Sequence, residues 1–400
     1  MAGSKNNYAA LRVENRLILL CARRQRPPDT QSEVNRLLLH PLDWDYIVKK
    51  ALHHRIYPLL YNTLRQIDSK SVPTAVLSKL RSETYQNAAR NVLSRQELFR
   101  LLRRLQEDHI TAAPFKGPLL AESVYDDLSL RVFCDLDILV PPDQVLKAKT
   151  TLVSMGYQPQ FPLNPAEEKI YIRSNCEYNF LRPAEDGTVF QVEVHWNVIP
   201  PLFRVPLGSE FLWRGASEMS VGDIRFYQLS LETQFLILCL HAWKHFWSSL
   251  QWLCDLNEFL ACYQDRLDWD LILAQTQSLR IESIVATSVS LIHNLFGRDI
   301  PGALRTHLRG QMSEQSLPQF VTQHTFPADE PLTSLLRKHR FYLSYRKSLM
   351  DRVAYLWLVL VTPTPTDFGE TPLPAHLGFM YWLVRPWRLV FKTLSGRQRL

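Results

Sequence analysis

Glycine is scarce in this 400-residue sequence, 13 in all, and none falls into a G-x-G-x-x-G turn, a G-x-S-x-G elbow or a Walker A loop. Rossmann, serine-hydrolase and P-loop readings therefore find no support. The six cysteines, at 21, 134, 176, 239, 254 and 262, contain no C-x-x-C pair and form no zinc set with histidine. In a chain of this length they read as reduced, mostly buried residues, which favours a cytoplasmic setting. Long hydrophobic runs are also missing. The longest, Val353 to Val361, has nine residues, whereas a membrane-spanning helix needs about 20. Near the start, the apolar run from Leu17 to Ala22 is too short for a signal peptide.

What is present is a 46% hydrophobic composition, enough for a sizeable core, and a formal charge of +7. The charge is unevenly spread. Residues 331–400 hold 11 Lys/Arg against three acids, Asp351, Asp367 and Glu370, so this segment carries the whole surplus and the first 330 residues are close to neutral. That distribution disfavours a nucleic-acid groove.

Residues 1–109 read as a helical segment: "YIVKKALHHRIYPLLYNTL" and "LSRQELFRLLRRLQED" carry apolar residues at three- and four-residue intervals. Residues 110–200 change texture, with short β-rich runs "DLDILV", "EYNFL" and "VFQVEVHW". The helical period returns within 201–330, and 331–400 is basic and aromatic. "LDWDYIVKKALHHRI" from Leu42 and "LDWDLILAQTQSLRI" from Leu267 echo one another. Either a helix-start device or a domain has been duplicated; in both copies the first Asp is placed to cap a helix.

The chemistry concentrates in "RVFCDLDILV", residues 131–140. Alternation in a strand puts Cys134, Leu136, Ile138 and Val140 on one face and Arg131, Phe133, Asp135 and Asp137 on the other. Two carboxylates side by side repel unless a cation lies between them or water surrounds them, and the apolar flanks argue against water. Oxygen ligands at this spacing suit Mg²⁺, with Mn²⁺ as the substitute. In "VFQVEVHW", Val192 and Val194 put Gln191, Glu193 and His195 on the opposite face, so a neighbouring strand can bring Glu193 beside the aspartates. Three carboxylates holding two metals is machinery for phosphoryl or nucleotidyl transfer. Upstream, "PFKGPLL" sets Lys116 and Gly117 before Pro118 at a helix start, where free N–H groups and the helix dipole favour phosphate.

This order, Lys116-Gly117, then Arg131, Asp135, Asp137 and Leu139-Val140, then Glu193 with His195-Trp196, resembles the DNA polymerase beta-type nucleotidyltransferase superfamily. Within it, the chain is similar to a family of largely uncharacterised bacterial nucleotidyltransferases. The resemblance is specific over residues 115–196 and looser over most of the first 300. It implies an α+β fold, a polymerase beta-like core of a small mixed sheet with helices, flanked by helical N- and C-terminal segments. The wider superfamily usually has Gly-Ser or Gly-Gly where this chain has Gly117-Pro118, and residues 118–134 make a longer interval than usual before the first aspartate.

Other residues have two readings each. His241 and His245, one turn apart in "LHAWKHFW", lack the glutamate of an H-E-x-x-H zinc site; with Lys244 they either line the nucleotide cleft or pack at a helix surface beside Trp243 and Trp247. His195 either meets phosphate or tunes Glu193, or is satisfied by a local carbonyl. Arg131 either meets phosphate or pairs with Asp126 or Asp127. Asp255 either orients a histidine or the second substrate, or is a packing residue. The C-terminal "HLGFMYWLVRPWRLVFKTLSGRQRL", with Arg385, Arg388, Lys392, Arg397 and Arg399, either contacts anionic membrane or an acidic partner, or packs its aromatics back on the protein, and Pro386 is expected to interrupt its helix.

The expected function is Mg²⁺-dependent transfer of a nucleoside monophosphate from a nucleoside triphosphate (NTP) to a hydroxyl-bearing acceptor, with Asp135, Asp137 and Glu193 as catalytic and metal residues. Lys116, Gly117, Arg131, His195, His241, Lys244 and His245 are the expected nucleotide-binding residues. The alternative is a non-catalytic nucleotide-binding or scaffold protein that keeps the fold.

Overall fold

A computed structural model describes residues 11–67, 71–185, 187–308, 335–346, 348–371 and 373–394. Both copies of Leu-Asp-Trp-Asp open helices, Trp44–His53 and Trp269–Ser278. Asp43 accepts from the Tyr46 N–H and Asp268 from the Leu271 N–H, each at 2.9 Å, caps that contribute about 1 kcal/mol apiece. The copies also end alike. Arg55 and Arg280 both take a left-handed φ of 56°, and the buried Ile56 and Ile281 donate back to Ala51 and Thr276 carbonyls at 2.9 and 3.0 Å. A second helix then starts in each, Tyr57–Leu64 and Glu282–Phe296. The echo therefore encodes a whole helical corner, not a cap alone.

The helices before residue 81 do not form a core of their own. Leu17, Ile18, Ile47, Leu60 and Leu80 pack in one cluster with Phe235, Leu253, Phe259, Val285 and Leu304 from the later helices. A second cluster belongs to the sheet. Its five strands are β1 (Ala113–Pro114), β2 (Asp135–Leu139), β3 (Gln158–Pro159), β4 (Glu177–Pro183) and β5 (Val189–His195). They lie in the order β1-β2-β5-β4-β3, with β2 parallel to β5 and the other pairs antiparallel. This is the small mixed sheet of an α+β fold. Leu136, Ile138, Val192, Val194 and Phe180 point to one face, where Leu98, Leu101 and Leu105 of the long helix Thr74–Glu107 and Val145, Ala148 and Leu152 of the helix Val145–Ser154 cover them. The opposite face carries the polar side chains, with Leu139 buried beside them against the first cluster. Cys134 lies just before β2 and is exposed, as is Cys262; the other four cysteines are buried.

Near the C-terminus the helices Leu349–Val361 and Tyr381–Leu394 pack on each other. Pro386 sits inside the second without ending it. Its aromatics divide: Tyr381 packs back on the protein and is buried, Trp387 and Phe391 are exposed, and Arg385 and Arg388 turn inward to Asp367 at 3.0 and 2.6 Å. The Lys392 side chain, Arg397 and Arg399 lie outside the described residues.

Candidate active site

The parallel register of β2 and β5 sets Asp137 directly opposite Glu193 and Asp135 opposite Gln191. Asp135, Asp137, Glu193 and His195 thus share the polar face by strand parity. The antiparallel register of β4 adds a fourth acid, Glu177, opposite His195. In "EYNFL" the buried Tyr178 and Phe180 mark the core face, so the same parity argument could have found Glu177.

Across from this face stand the helices Leu231–Lys244 and Leu250–Tyr263. Between them and the sheet is a cavity of about 260 Å³ lined by Asp135, Glu193, His195 and Glu177, by Lys116, His241, Lys244 and His245, and by Arg55 and Trp252. Arg55 and Trp252 were not anticipated. Arg55 does carry a signal, being the left-handed residue of the repeated corner.

Lys116 precedes the helix Gly117–Tyr125. Gly117 has a φ of +53°, and a Cβ there would come within 3.4 Å of the Asp135 carbonyl oxygen, so both the turn and the approach to β2 favour glycine. The turn delivers the Lys116 Nζ to Asp137 Oδ1 at 2.9 Å and to His241 Nδ1 at 3.4 Å. His195 Nε2 donates to the same Asp137 oxygen at 3.0 Å and lies 3.3 Å from Glu193 Oε2. Lys244 Nζ pairs with Glu177 Oε2 at 3.1 Å. Four carboxylates thus alternate with two lysines and a histidine.

These neighbours move the proton affinities in opposite directions. Burial works to raise the pKa of Asp137, but Lys116 and His195 outweigh it and hold the group well below the usual carboxylate range. Asp135 is pushed up to about 6, first by burial and then by the charge of Asp137. His195, disfavoured as a cation by burial, is nonetheless raised to about 9 by its bonds to Asp137 and Glu193. His245 is lowered to about 3 and His241 well below the usual imidazole range, by burial and by the surrounding cations. His241 and His245 are therefore neutral donors or acceptors at pH 7, and His195 is an imidazolium.

The two aspartates should consequently respond oppositely to loss of charge. The folded protein holds the Asp135 proton more tightly than an unfolded chain, whose aspartates titrate near about 4. The cost of its charge is thus absent below about pH 4 and complete above about 6. Asp135→Asn is expected to raise the melting temperature of the metal-free protein at pH 7, and to lose that gain at pH 4. Asp137→Asn should lower it, because two buried cations lose their shared anion. Thermal denaturation in a chelator checks this, and shifts of the same sign at pH 7 would refute it.

Arg131 does not reach the cavity, and its partner is neither Asp126 nor Asp127. Its Nε and Nη2 donate to the two oxygens of Asp255 at 2.9 Å each, and Nη1 donates to the Gly117 carbonyl at 3.3 Å. Tyr125 Oη donates to the same carboxylate at 2.8 Å. Asp255 is thereby committed to this buried network rather than to a histidine.

Among the described residues, side-chain oxygen and nitrogen atoms of Asp137, Glu193 and His195 lie within 4.8 Å of one another, the imidazole serving as a ligand only once it gives up a proton. Both cations bound to Asp137 use Oδ1, which leaves Oδ2 outside those contacts, and Asp135 and Glu193 present further oxygens from the cavity wall. An oxygen-rich donor set of this kind fits a hard divalent ion. The sequence profile of a family described as "Uncharacterised nucleotidyltransferase" matches residues 40–297. No curated protein and no solved structure matches the chain.

Proposed function

Because the chain belongs to this nucleotidyltransferase family, and is an enzyme of nucleotidyl transfer, we propose that its cavity moves a nucleoside monophosphate from an NTP to a hydroxyl-bearing acceptor with Mg²⁺. The observation that carries the reading is the β2–β5 register, which aligns Asp137 with Glu193 and leaves Asp135 on the same face. Asp135, Asp137 and Glu193 would hold the metal, with His195 alongside. Bound there, Mg²⁺ would neutralise the triphosphate and favour loss of the acceptor proton.

The chain's own residues do the rest. Glu193, facing the cavity, orients and accepts a proton from the acceptor hydroxyl. Lys116 lies at the start of the Gly117–Tyr125 helix, where the dipole and its ammonium favour the phosphates together. Lys244 and Arg55 add positive charge on the opposite wall. Trp252, against which His245 lies with ring centroids 4.7 Å apart, offers an aromatic surface for a planar base. Arg131 acts at one remove, tying Gly117 to Asp255.

Mg²⁺ or Mn²⁺ should raise the melting temperature, and NTP should raise it further, since ligands that bind only the folded state stabilise it. With purified protein, Mg²⁺ and labelled triphosphates, label from the α position should appear on an acceptor in cell extract and pyrophosphate should be released. Transfer of the γ label would identify a kinase instead. An unchanged melting curve in metal plus nucleotide would remove the metal site.

A further inference from the structure

Two amphipathic helices outside the active site turn their apolar faces to solvent. In the helix Leu349–Val361, Met350, Val353 and Trp357 recur at helical spacing and are exposed; in Tyr381–Leu394, Leu383, Trp387 and Phe391 do the same, Trp387 stacking on Phe391 with centroids 5.5 Å apart. Of the 22 large apolar side chains exposed among the described residues, 12 fall between 349 and 391, so the exposure is concentrated rather than scattered.

The helices are not loosely attached. Tyr355, on the inner side of the first, is 1% exposed and lies under the Arg346 guanidinium, 4.4 Å from its ring centroid. Tyr381 is fully buried, packs on Phe368 and donates to Glu167 at 2.9 Å. Arg385 links the two helices by donating to the Val359 carbonyl at 3.1 Å. The inner faces are anchored and the outer faces are left over.

Charge selects what covers them. All three acids of residues 331–400 are engaged internally: Asp367 with Arg385 and Arg388, Glu370 with Arg388, and Asp351 with Arg204 at 3.6 Å. The segment keeps its net positive charge, and among the described residues Arg340 and Arg352 are exposed. A second copy docking through the same faces would bring two such surpluses together, which repel. An anionic lipid surface satisfies both features, taking Trp, Phe, Leu and Met into its interface and the cations at its headgroups. No helix among the described residues is long and apolar enough to cross a membrane, so such binding would be peripheral.

We propose that the outer faces of the helices 349–361 and 381–394 form a docking surface for anionic lipid. It is independent of the active-site reading. Flotation of the full chain with vesicles of phosphatidylcholine, with and without phosphatidylglycerol, tests it. The protein should float with the anionic vesicles, leave them in high salt, and show a blue shift of tryptophan fluorescence on binding.

Trp357→Glu with Leu383→Glu should weaken partitioning by about a hundredfold or more, since two inserted apolar side chains are lost, while the melting temperature stays unchanged because both positions are exposed. Deleting the chain from residue 376 is unsuitable, as it removes the buried Tyr381. No flotation with anionic vesicles, or equal flotation of the double variant, overturns the proposal. So does light scattering that finds a wild-type dimer and a monomeric variant, because a second copy would then be the occupant.

Discussion

Glu193→Gln is expected to bind NTP and to turn over roughly 10²–10⁴ times more slowly, the loss that follows removal of a general acid–base group. Glutamine keeps the shape of the side chain and can still accept from Gln191 Nε2, which reaches Glu193 Oε1 at 3.1 Å, so the strand pairing should survive. What disappears is the negative charge opposite Asp137. Pyrophosphate release reports turnover, and the nucleotide-induced rise in melting temperature reports binding. Wild-type turnover in this variant would take Glu193 out of the mechanism. Loss of nucleotide stabilisation together with turnover would assign it to binding alone.

The second large effect is on stability. Arg131 and Asp255 are 5% and 2% exposed, and burial opposes the Arg131 charge, which Asp255 more than restores. Breaking such a pair from one side leaves an uncompensated buried charge and costs about 3–5 kcal/mol. Arg131→Met and Asp255→Leu should each lose stability on that scale in urea denaturation. The double variant should recover most of it, because an apolar pair of similar volume carries no desolvation penalty. Strictly additive losses would mean that the pair is not coupled. A stable Arg131→Met with weakened NTP affinity would return the arginine to phosphate binding.

Period-two alternation was enough to sort β2 and β5 into a buried and a polar face, because Leu136, Ile138, Val192 and Val194 are strongly apolar and their neighbours are not. The same rule places Glu177, although "EYNFL" holds a single acid with no second charge beside it to mark a site. Parity extended one residue too far at Cys134, which precedes the first paired residue of the strand. The partner of Arg131 was not legible. Asp126 and Asp127 are near in sequence, yet the bidentate contact comes from 124 residues away, through a helix packing that no local pattern encodes. Pro386 lies inside its helix for a different reason. A proline removes one N–H but does not end a helix held from outside, and Arg385 and Arg388 on either side of it are clamped to Asp367. Those arginines face inward because a buried aspartate demands them, and the stripe of Leu383, Trp387 and Phe391 then has only the outer side left.

The first hydrophobic cluster joins residues 17–80 to residues within 113–139 and 198–355. On the ribosome, the early helices emerge well ahead of the later helices that complete their cluster, such as those bearing Phe235, Leu253 and Val285. Over that interval the nascent chain exposes the part of this cluster that the later helices cover, which invites either chaperone binding or aggregation. The strands of the sheet can pair during the wait, since β1 to β5 and the long helix that covers them are contiguous in residues 74–195. Closure of the cavity must follow the sheet, because the wall bearing His241, Lys244 and Trp252 is translated after the carboxylates it faces.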